Sequence, residues 1–230
     1  MEVNILKLWL KLDSFLNKAD AEKIRGYLGN LFWDNPYAHH HNEDGSFIYR
    51  YPFVQYKVIN SLCLLIGFNE GLDVVKKTFH DIKKINLNGK LQEILSKGLE
   101  SYNAFFSISD EQILYSFLTP WLALNEKNYE QYQKLGSWLK RKDLLEKVLI
   151  GNIISISKSL GYTVPAPINV KIINLKKVTT RLKETFMQGF LGNFSVNFEI
   201  PDYWGIGKSV SRGFGTVIKK EFSSANRNLI

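Results

Sequence analysis

The stretch SFIYRYPFVQYKVIN, residues 46–60, is followed directly by SLCLLIGF, residues 61–68. Both segments are rich in β-branched and aromatic side chains, which predicts two successive strands. Pro52 lacks a backbone N–H, so it marks an edge position or a bulge in the first of them. This strand pair lies in the middle of the first half of the chain and decides how that half is interpreted.

The flanking segments complete a regular order. Residues 3–12 have the composition of a strand, and residues 14–33 carry apolar side chains at helical intervals. Residues 33–45, WDNPYAHHHNEDG, are polar and turn-forming. A helix is expected to begin at Asn69, and a further strand lies within residues 90–108. Strand, helix, strand, strand, helix, strand is the order of a ferredoxin-like domain.

The second half repeats this order less clearly. Residues 112–124 are expected to form a strand, and Asn125 is expected to cap a long helical region that is interrupted at Gly136 or Gly151. Four strand-like segments separated by short turns then follow, at residues 169–178, 178–190, 192–200 and 214–222.

Length and composition fit this division. A chain of 230 residues with 45% apolar content can bury one large core or two small ones. We therefore predict an α+β protein of two tandem ferredoxin-like (βαββαβ) domains, residues 1–108 and 109–230. The formal charge of +8 suits a polyanionic partner such as nucleic acid. Residues 168–230 carry ten lysines and arginines against four acids, so most of the excess charge lies there.

A single cysteine, Cys63, excludes a disulfide within the chain and a cysteine-based zinc site. No apolar stretch approaches the ~20 residues of a transmembrane helix, and the first residues lack the pattern of a secretion signal. We expect a soluble cytoplasmic protein without a membrane partner.

The segment DYWGIGKSVSRGFGTV, residues 202–217, contains Gly-Lys-Ser but is not a nucleotide-binding loop. A Walker A loop needs a glycine five residues before its Gly-Lys pair, and Asp202 stands there. A dinucleotide fingerprint fails as well, because Val210 occupies the place of its last glycine. The glycines instead allow positive φ angles and close approach of another backbone. Lysine, arginine and serine between them add charge and donors, so such a loop can hold RNA phosphates.

The pattern GIGKSVSRGFG, residues 205–215, closely resembles the C-terminal glycine-rich signature of the RAMP superfamily. Within it, the similarity is to the CRISPR-associated endoribonucleases that process precursor CRISPR RNA. The resemblance extends to LLEKVLIGNII at 144–154 and to HHHNEDGSFIYRYPFVQYK at 39–57, and YPFVQYK at 51–57 suggests the subgroup of type I-B systems. It implies that the glycine loop positions RNA and does not cut it. The implied RNA-binding residues are Lys57, Gly205, Gly207, Lys208, Ser209, Arg212, Gly213 and Gly215.

The resemblance also implies the chemistry of a metal-independent ribonuclease that needs no cofactor. The RNA 2′-hydroxyl attacks the adjacent phosphate and leaves a 2′,3′-cyclic phosphate. Histidine can serve as base or acid near neutral pH. The family carries its catalytic histidines where this chain has His39, His40 and His41. In an extended segment His39 and His41 lie on one side, about 6.5–7 Å apart, and His40 faces away.

A tyrosine and a basic residue complete the implied site. Tyr49, on the following strand, is the candidate that steadies the phosphoryl oxygens. Strand alternation does not decide between Arg50 and Lys57 for the basic position, and we interpret Lys57 as a phosphate contact rather than a catalyst.

Plainer explanations remain open at this stage. The histidine tract is also compatible with metal binding or with a solvated loop, Tyr49 with an ordinary sheet position, and the glycine loop with a structural turn. Zinc needs further ligands, and His80, the fourth histidine, falls on a predicted helix, where a structural role is expected.

Two functions follow from the sequence. The first is an endoribonuclease that binds CRISPR repeat RNA, cuts precursor RNA and can remain with its product in the interference complex. The alternative is a non-catalytic RAMP subunit that binds RNA in that complex. The expected partners are repeat RNA, other subunits of the complex and a second copy of the chain.

Overall fold

The computed structural model describes residues 1–33, 35–39 and 50–221. In these ranges the chain forms nine β-strands and five α-helices, which confirms the α+β class. The chain divides into two compact units. Of the described residues, the N-terminal unit contains those within Glu2–Phe105 and Ser209–Gly213, and the C-terminal unit contains Met1, Phe106–Lys208 and Phe214–Glu221.

The N-terminal unit is built on one antiparallel sheet. Its elements are β1 (Glu2–Leu12), α1 (Asp20–Leu31), α2 (Pro36–His39), β2 (Val54–Ile59), β3 (Leu62–Phe68), α3 (Leu72–Asp81), β4 (Lys84–Leu87) and β5 (Lys90–Phe105). The sheet order is β2-β3-β1-β5-β4. This is the ferredoxin-like order, with β5 as the fourth strand and β4 added at the edge. The predicted order of elements is confirmed, and β4 is an addition that the sequence did not reveal.

Alternation along β1 explains where the core of this unit lies. Every second residue from Leu6 to Leu12 is buried against α1 and α3. Burying a leucine side chain contributes about 1.5–3 kcal/mol, so the four leucines of this face are a large part of the unit's stability. The helix residues that meet them include Ile24, Leu28, Val74 and Val75. This packing fixes α1, and the chain then continues through α2 to His39.

The C-terminal unit also has one antiparallel sheet. Its elements are β6 (Ser107–Phe117), α4 (Glu126–Lys134), α5 (Trp138–Ser159), β7 (Val170–Leu182), β8 (Thr185–Glu199) and β9 (Val217–Lys220), in the sheet order β7-β8-β6-β9. This is again the ferredoxin-like strand order. Between β8 and β9 the described chain has the predicted glycine loop, with only a 3-10 turn, Val210–Arg212, in place of the second helix of a regular ferredoxin-like domain.

Two strand predictions in this half differ from the structure. β6 ends at Phe117, so Pro120 lies outside it, consistent with the missing backbone donor of proline. Residues 178–190 are not a separate strand, because Lys183 and Glu184 form the two-residue turn between β7 and β8. The β-branched residues on both sides of this polar pair made the segment look continuous.

The helical region is interrupted at Gly136, one of the two predicted positions. Asn125 caps α4 as expected, since its side chain accepts a hydrogen bond from the backbone N–H of Asn128 at 2.8 Å. Ser137 caps α5 directly after Gly136, whereas Gly151 lies inside α5. α5 is the longest helix of the described residues, and no helix there is both long and apolar enough to cross a membrane.

Candidate nucleic-acid interface

The two arms of the glycine-rich segment 205–215 are hydrogen-bonded to each other. The backbone N–H of Ile206 donates to the carbonyl of Gly215 at 2.9 Å, and the N–H of Val217 donates to the carbonyl of Trp204 at 2.9 Å. Gly215 has a φ of 63°, and a Cβ there would lie 1.9 Å from the Ile206 carbonyl oxygen. Only glycine allows the arms to approach this closely.

The first arm is anchored on the segment that follows β6. Gly205 is buried and pairs with the returning arm. Gly207 has a φ of 93°, and a Cβ would lie 2.7 Å from Nε1 of the fully buried Trp121. The next residue, Lys208, donates its backbone N–H to the carbonyl of Leu122 at 3.3 Å. The close contact that Gly207 makes with Trp121 therefore fixes the position from which the Lys208 side chain projects into solvent.

The middle of the loop packs in the N-terminal unit. Ser209 and Gly213 have φ angles of 60° and 89° and flank the 3-10 turn. A Cβ on Gly213 would lie 3.1 Å from both the Ala21 Cβ and the Tyr56 carbonyl oxygen. The loop thus rests on α1 and β2, the elements on either side of the histidine tract.

The side chain of Arg212, from the glycine loop, contacts a cluster of charged side chains on α1. Its Nε is 3.1 Å from Oε1 of Glu22. Burial and then the nearby Arg212 charge lower the pKa of Arg25. Two guanidinium groups beside one carboxylate leave excess positive charge, so the cluster attracts an anion while the Glu22 contact also ties the loop to α1.

Lys208 is the most accessible cation of the loop. Its side chain is exposed, and it forms no ion pair with any residue in the described ranges. Because no carboxylate neutralises it there, its charge is available to a phosphate.

Lys57 occupies a different environment from the one expected of a phosphate contact. It lies in β2 opposite Leu64, on the face away from Tyr56 and Val58. The side chain is fully buried, and Nζ has no hydrogen-bond partner among the described residues. Burial lowers the pKa of Lys57 from 10.5 to about 7.

This burial predicts a pH-dependent stability. Between about pH 7 and 10.5 the unfolded chain binds a proton at Lys57 that the folded protein does not, so stability rises with pH in that window. Lys57→Met removes the effect and should stabilise the protein most at pH 6. The advantage should shrink by up to about 1.4 kcal/mol per pH unit above pH 7. Urea unfolding of both proteins at pH 6, 8 and 9.5 measures this, and an advantage independent of pH would contradict it.

The predicted catalytic residues fall at the edge of the described ranges. His39 is the last residue of α2, so its backbone is helical and not extended. The alternation argument that paired His39 with His41 therefore does not apply at His39. His41 and Tyr49 lie outside the described residues, and their roles stay predictions.

His80 is exposed on α3, with its ring at 5.2 Å and edge-on to that of Phe79. Within residues 1–33, 35–39 and 50–221, no three metal-binding side chains come together.

Sequence reasoning missed two basic positions. Arg25 belongs to the Arg212 cluster, but it lies in α1 without a surrounding motif. Lys147 lies on α5 and, together with Lys208, lines a cleft of about 510 Å³ in the C-terminal unit. Little in the sequence indicated a role for Lys147, because α5 precedes the basic C-terminal region. The only indication was that Lys147 falls outside the buried apolar stripe of α5.

Comparison with known proteins assigns the chain to a family. Residues 1–104 match the Cas6b N-terminal domain, and residues 107–220 match the Cas6b C-terminal domain. The chain belongs to the Cas6b family. This confirms the resemblance to CRISPR-associated RAMP proteins.

Similar proteins include two of known structure. A crystal structure of Cas6b is 38% identical, with a TM-score of 0.89, over 96% of this chain and 100% of that one. A second, described as the CRISPR RNA processing endoribonuclease Cas6b, is 36% identical with a TM-score of 0.77 and the same coverage. A protein of Methanocaldococcus jannaschii described as uncharacterized is 41% identical over 141 residues, 61% of this chain and 95% of that protein.

Proposed function

We propose that this Cas6b protein cleaves precursor CRISPR RNA by attack of the RNA 2′-hydroxyl on the adjacent phosphate, without a metal ion. Membership of the family makes the chain a CRISPR RNA-processing endoribonuclease. The proposal adds the mechanism, the residues and the mode of RNA binding.

Two histidines carry the protons in this proposal. One of His39 and His41 takes the proton of the 2′-hydroxyl, and the other protonates the leaving 5′-oxygen. Tyr49 steadies the phosphoryl oxygens. Support comes from the position of the tract, directly after α1 and α2, and from the glycine loop that packs on α1. The product carries a 2′,3′-cyclic phosphate and a 5′-hydroxyl.

The glycine loop grips the RNA strand. The observation that carries this part is Lys208, an exposed cation without an ion-pair partner in the described chain, placed by the tight contact of Gly207 with Trp121. Arg212 adds a second charge, and Ser209 adds a hydroxyl donor. Gly205, Gly213 and Gly215 act through the backbone path that they allow.

Lys57 is proposed as a phosphate contact under one condition. Because its amine has no exposed surface in this structure, a phosphate reaches it only if neighbouring residues move when RNA binds. Its lowered pKa means that an approaching phosphate would also restore its charge.

The proposal also concerns partners and location. We place the enzyme in the cytoplasm, with repeat RNA as its partner and other subunits of an interference complex, or a second copy of this chain, as further ones.

One experiment separates cleavage from binding alone. Labelled repeat RNA is incubated with the protein in EDTA, either as native RNA or with a 2′-deoxy sugar at the cut site. Cleavage of native RNA only, with a cyclic phosphate end, supports the proposal. Binding without cleavage contradicts it, and cleavage of the deoxy substrate excludes attack by the 2′-hydroxyl.

Removal of the Lys208 charge tests the loop. Lys208→Gln should weaken repeat-RNA binding about 3- to 10-fold at low salt and reduce the salt slope by about 0.7–1, the effect of one lost phosphate contact. Fluorescence anisotropy across a salt series measures both quantities. Lys158→Gln, which removes an exposed charge from the last turn of α5, is the control. An unchanged slope in Lys208→Gln would exclude a phosphate contact there.

A further inference from the structure

A cleft in the C-terminal unit combines lysine side chains with an apolar wall, as a nucleotide-binding site requires. It has a volume of about 510 Å³ and lies between the start of α4, the middle of α5 and Lys208. This volume is within the range of about 300–1,000 Å³ that is typical of small-ligand sites. Lys147 and Lys208 line it, and no acidic side chain does.

The two lysines are not neutralised by neighbouring groups. Both are exposed, and neither forms an ion pair with any residue that the structure describes. Two such cations at one cleft without a carboxylate favour a phosphate.

The polar side chains of the cleft are left as hydrogen-bond donors. Asn152 accepts the indole N–H of Trp121 through Oδ1 at 3.0 Å. An indole nitrogen only donates, so the amide orientation is fixed and the amino group of Asn152 remains for a ligand. Asn125 likewise uses Oδ1 to cap α4. A ligand rich in acceptors, such as a base carbonyl or a phosphate, matches this set.

The remaining wall is apolar. Leu122, Leu124, Leu144 and Val148 contribute to it. Gly151 opens the cleft, because a Cβ there would meet no atom within 4 Å. A flat base can lie against such a surface while its phosphate stays with the lysines, since small-ligand sites combine an apolar wall with a few polar groups.

We propose that this cleft binds one unpaired nucleotide of the RNA strand, its phosphate at Lys147 and Lys208 and its base against the apolar wall. The inference rests on the proposed RNA-binding function of the glycine loop and extends it to α4 and α5. The loop delivers the strand to the cleft because Gly207 and Leu122 fix the backbone of Lys208 at its rim.

Two variants with matched controls test the site. Gly151→Leu fills the cleft, and Ser155→Leu adds the same side chain to an exposed position one turn further along α5. Lys147→Gln removes a cleft charge, and Lys158→Gln removes a charge elsewhere on α5. Thermal unfolding shows whether each variant folds. Gly151→Leu should not lower the melting temperature, because glycine is unfavourable inside a helix.

The readout is the dissociation constant for repeat RNA. Gly151→Leu should weaken binding about 10-fold, because the added side chain displaces the base from the apolar wall. Lys147→Gln should weaken it about 3- to 10-fold and reduce the salt slope by about 0.7–1. A scan with single abasic nucleotides should find a position that weakens wild-type binding but has no further effect in Gly151→Leu. No effect of either cleft variant beyond its control overturns the inference.

The outcomes also separate the possible sources of the ligand. Inorganic phosphate and the four nucleoside 5′-monophosphates are titrated against the wild type and Gly151→Leu. Loss of monophosphate binding without loss of RNA binding would assign the cleft to a free nucleotide and overturn the inference. A wild type that neither binds nor cleaves repeat RNA refutes the proposed function itself, whereas a wild type that does both, with insensitive cleft variants, refutes the cleft alone.

Discussion

Replacing His39 or His41 with alanine should slow single-turnover cleavage of repeat RNA by about 10²-fold or more, because in the proposed mechanism each change removes a proton carrier from the transition state. The dissociation constant should change little, since the proposed phosphate contacts lie on the glycine loop. Quenched-flow or manual sampling at saturating protein gives the rate, and anisotropy gives the binding.

Two further histidines serve as references for this result. His80→Ala, at an exposed position of α3, should cleave like the wild type. His40→Ala tests the alternation argument, which the helical backbone at His39 has already weakened. If His39→Ala and His41→Ala instead release a stoichiometric bound metal, the tract is a metal site and the nucleolytic assignment fails.

Gly215→Ala should destabilise the protein by roughly 3 kcal/mol or more. The added Cβ would lie 1.9 Å from the backbone carbonyl oxygen of Ile206, and the φ of 63° is unfavourable for alanine. The two arms of the loop must then separate, so RNA binding should weaken as well. Urea unfolding and anisotropy measure the two effects.

The control for this substitution is a glycine without such a contact. Gly26 lies in α1, is exposed, and its Cβ would meet no atom within 4 Å. Gly26→Ala should therefore stabilise the protein by up to about 1 kcal/mol. Equal losses in both variants would show that the tight approach at Gly215 is not what requires glycine.

Local patterns predicted most of the fold. The strand composition of residues 3–12, the cap at Asn125 and the paired strands β2 and β3 each follow from residues close in sequence. The failures occurred where distant residues decide. The strand predicted at residues 112–124 ends at Phe117 instead, because its extent is set by pairing with β8 and β9, which lie far along the chain.

The candidate site was predictable only where neighbouring residues in the sequence determine it. Exposed Lys208 follows directly from its place among the glycines. Burial of Lys57 depends on its position in a sheet, and the partnership of Arg212 with Glu22 joins residues far apart in sequence. Lys147 joins Lys208 only through the fold.

Ser209–Gly213 belongs to the N-terminal unit although it is encoded near the end of the chain, and this constrains how the protein can evolve. A protein fragment of residues 1–105 alone lacks the loop segment that packs on Ala21 and Tyr56. Recombination between distant relatives that exchanges only one half of the chain therefore combines residues 209–213 of one protein with α1 and β2 of another. We expect the two halves of such proteins to have evolved together, with changes at Gly213 matched by changes on α1 and β2.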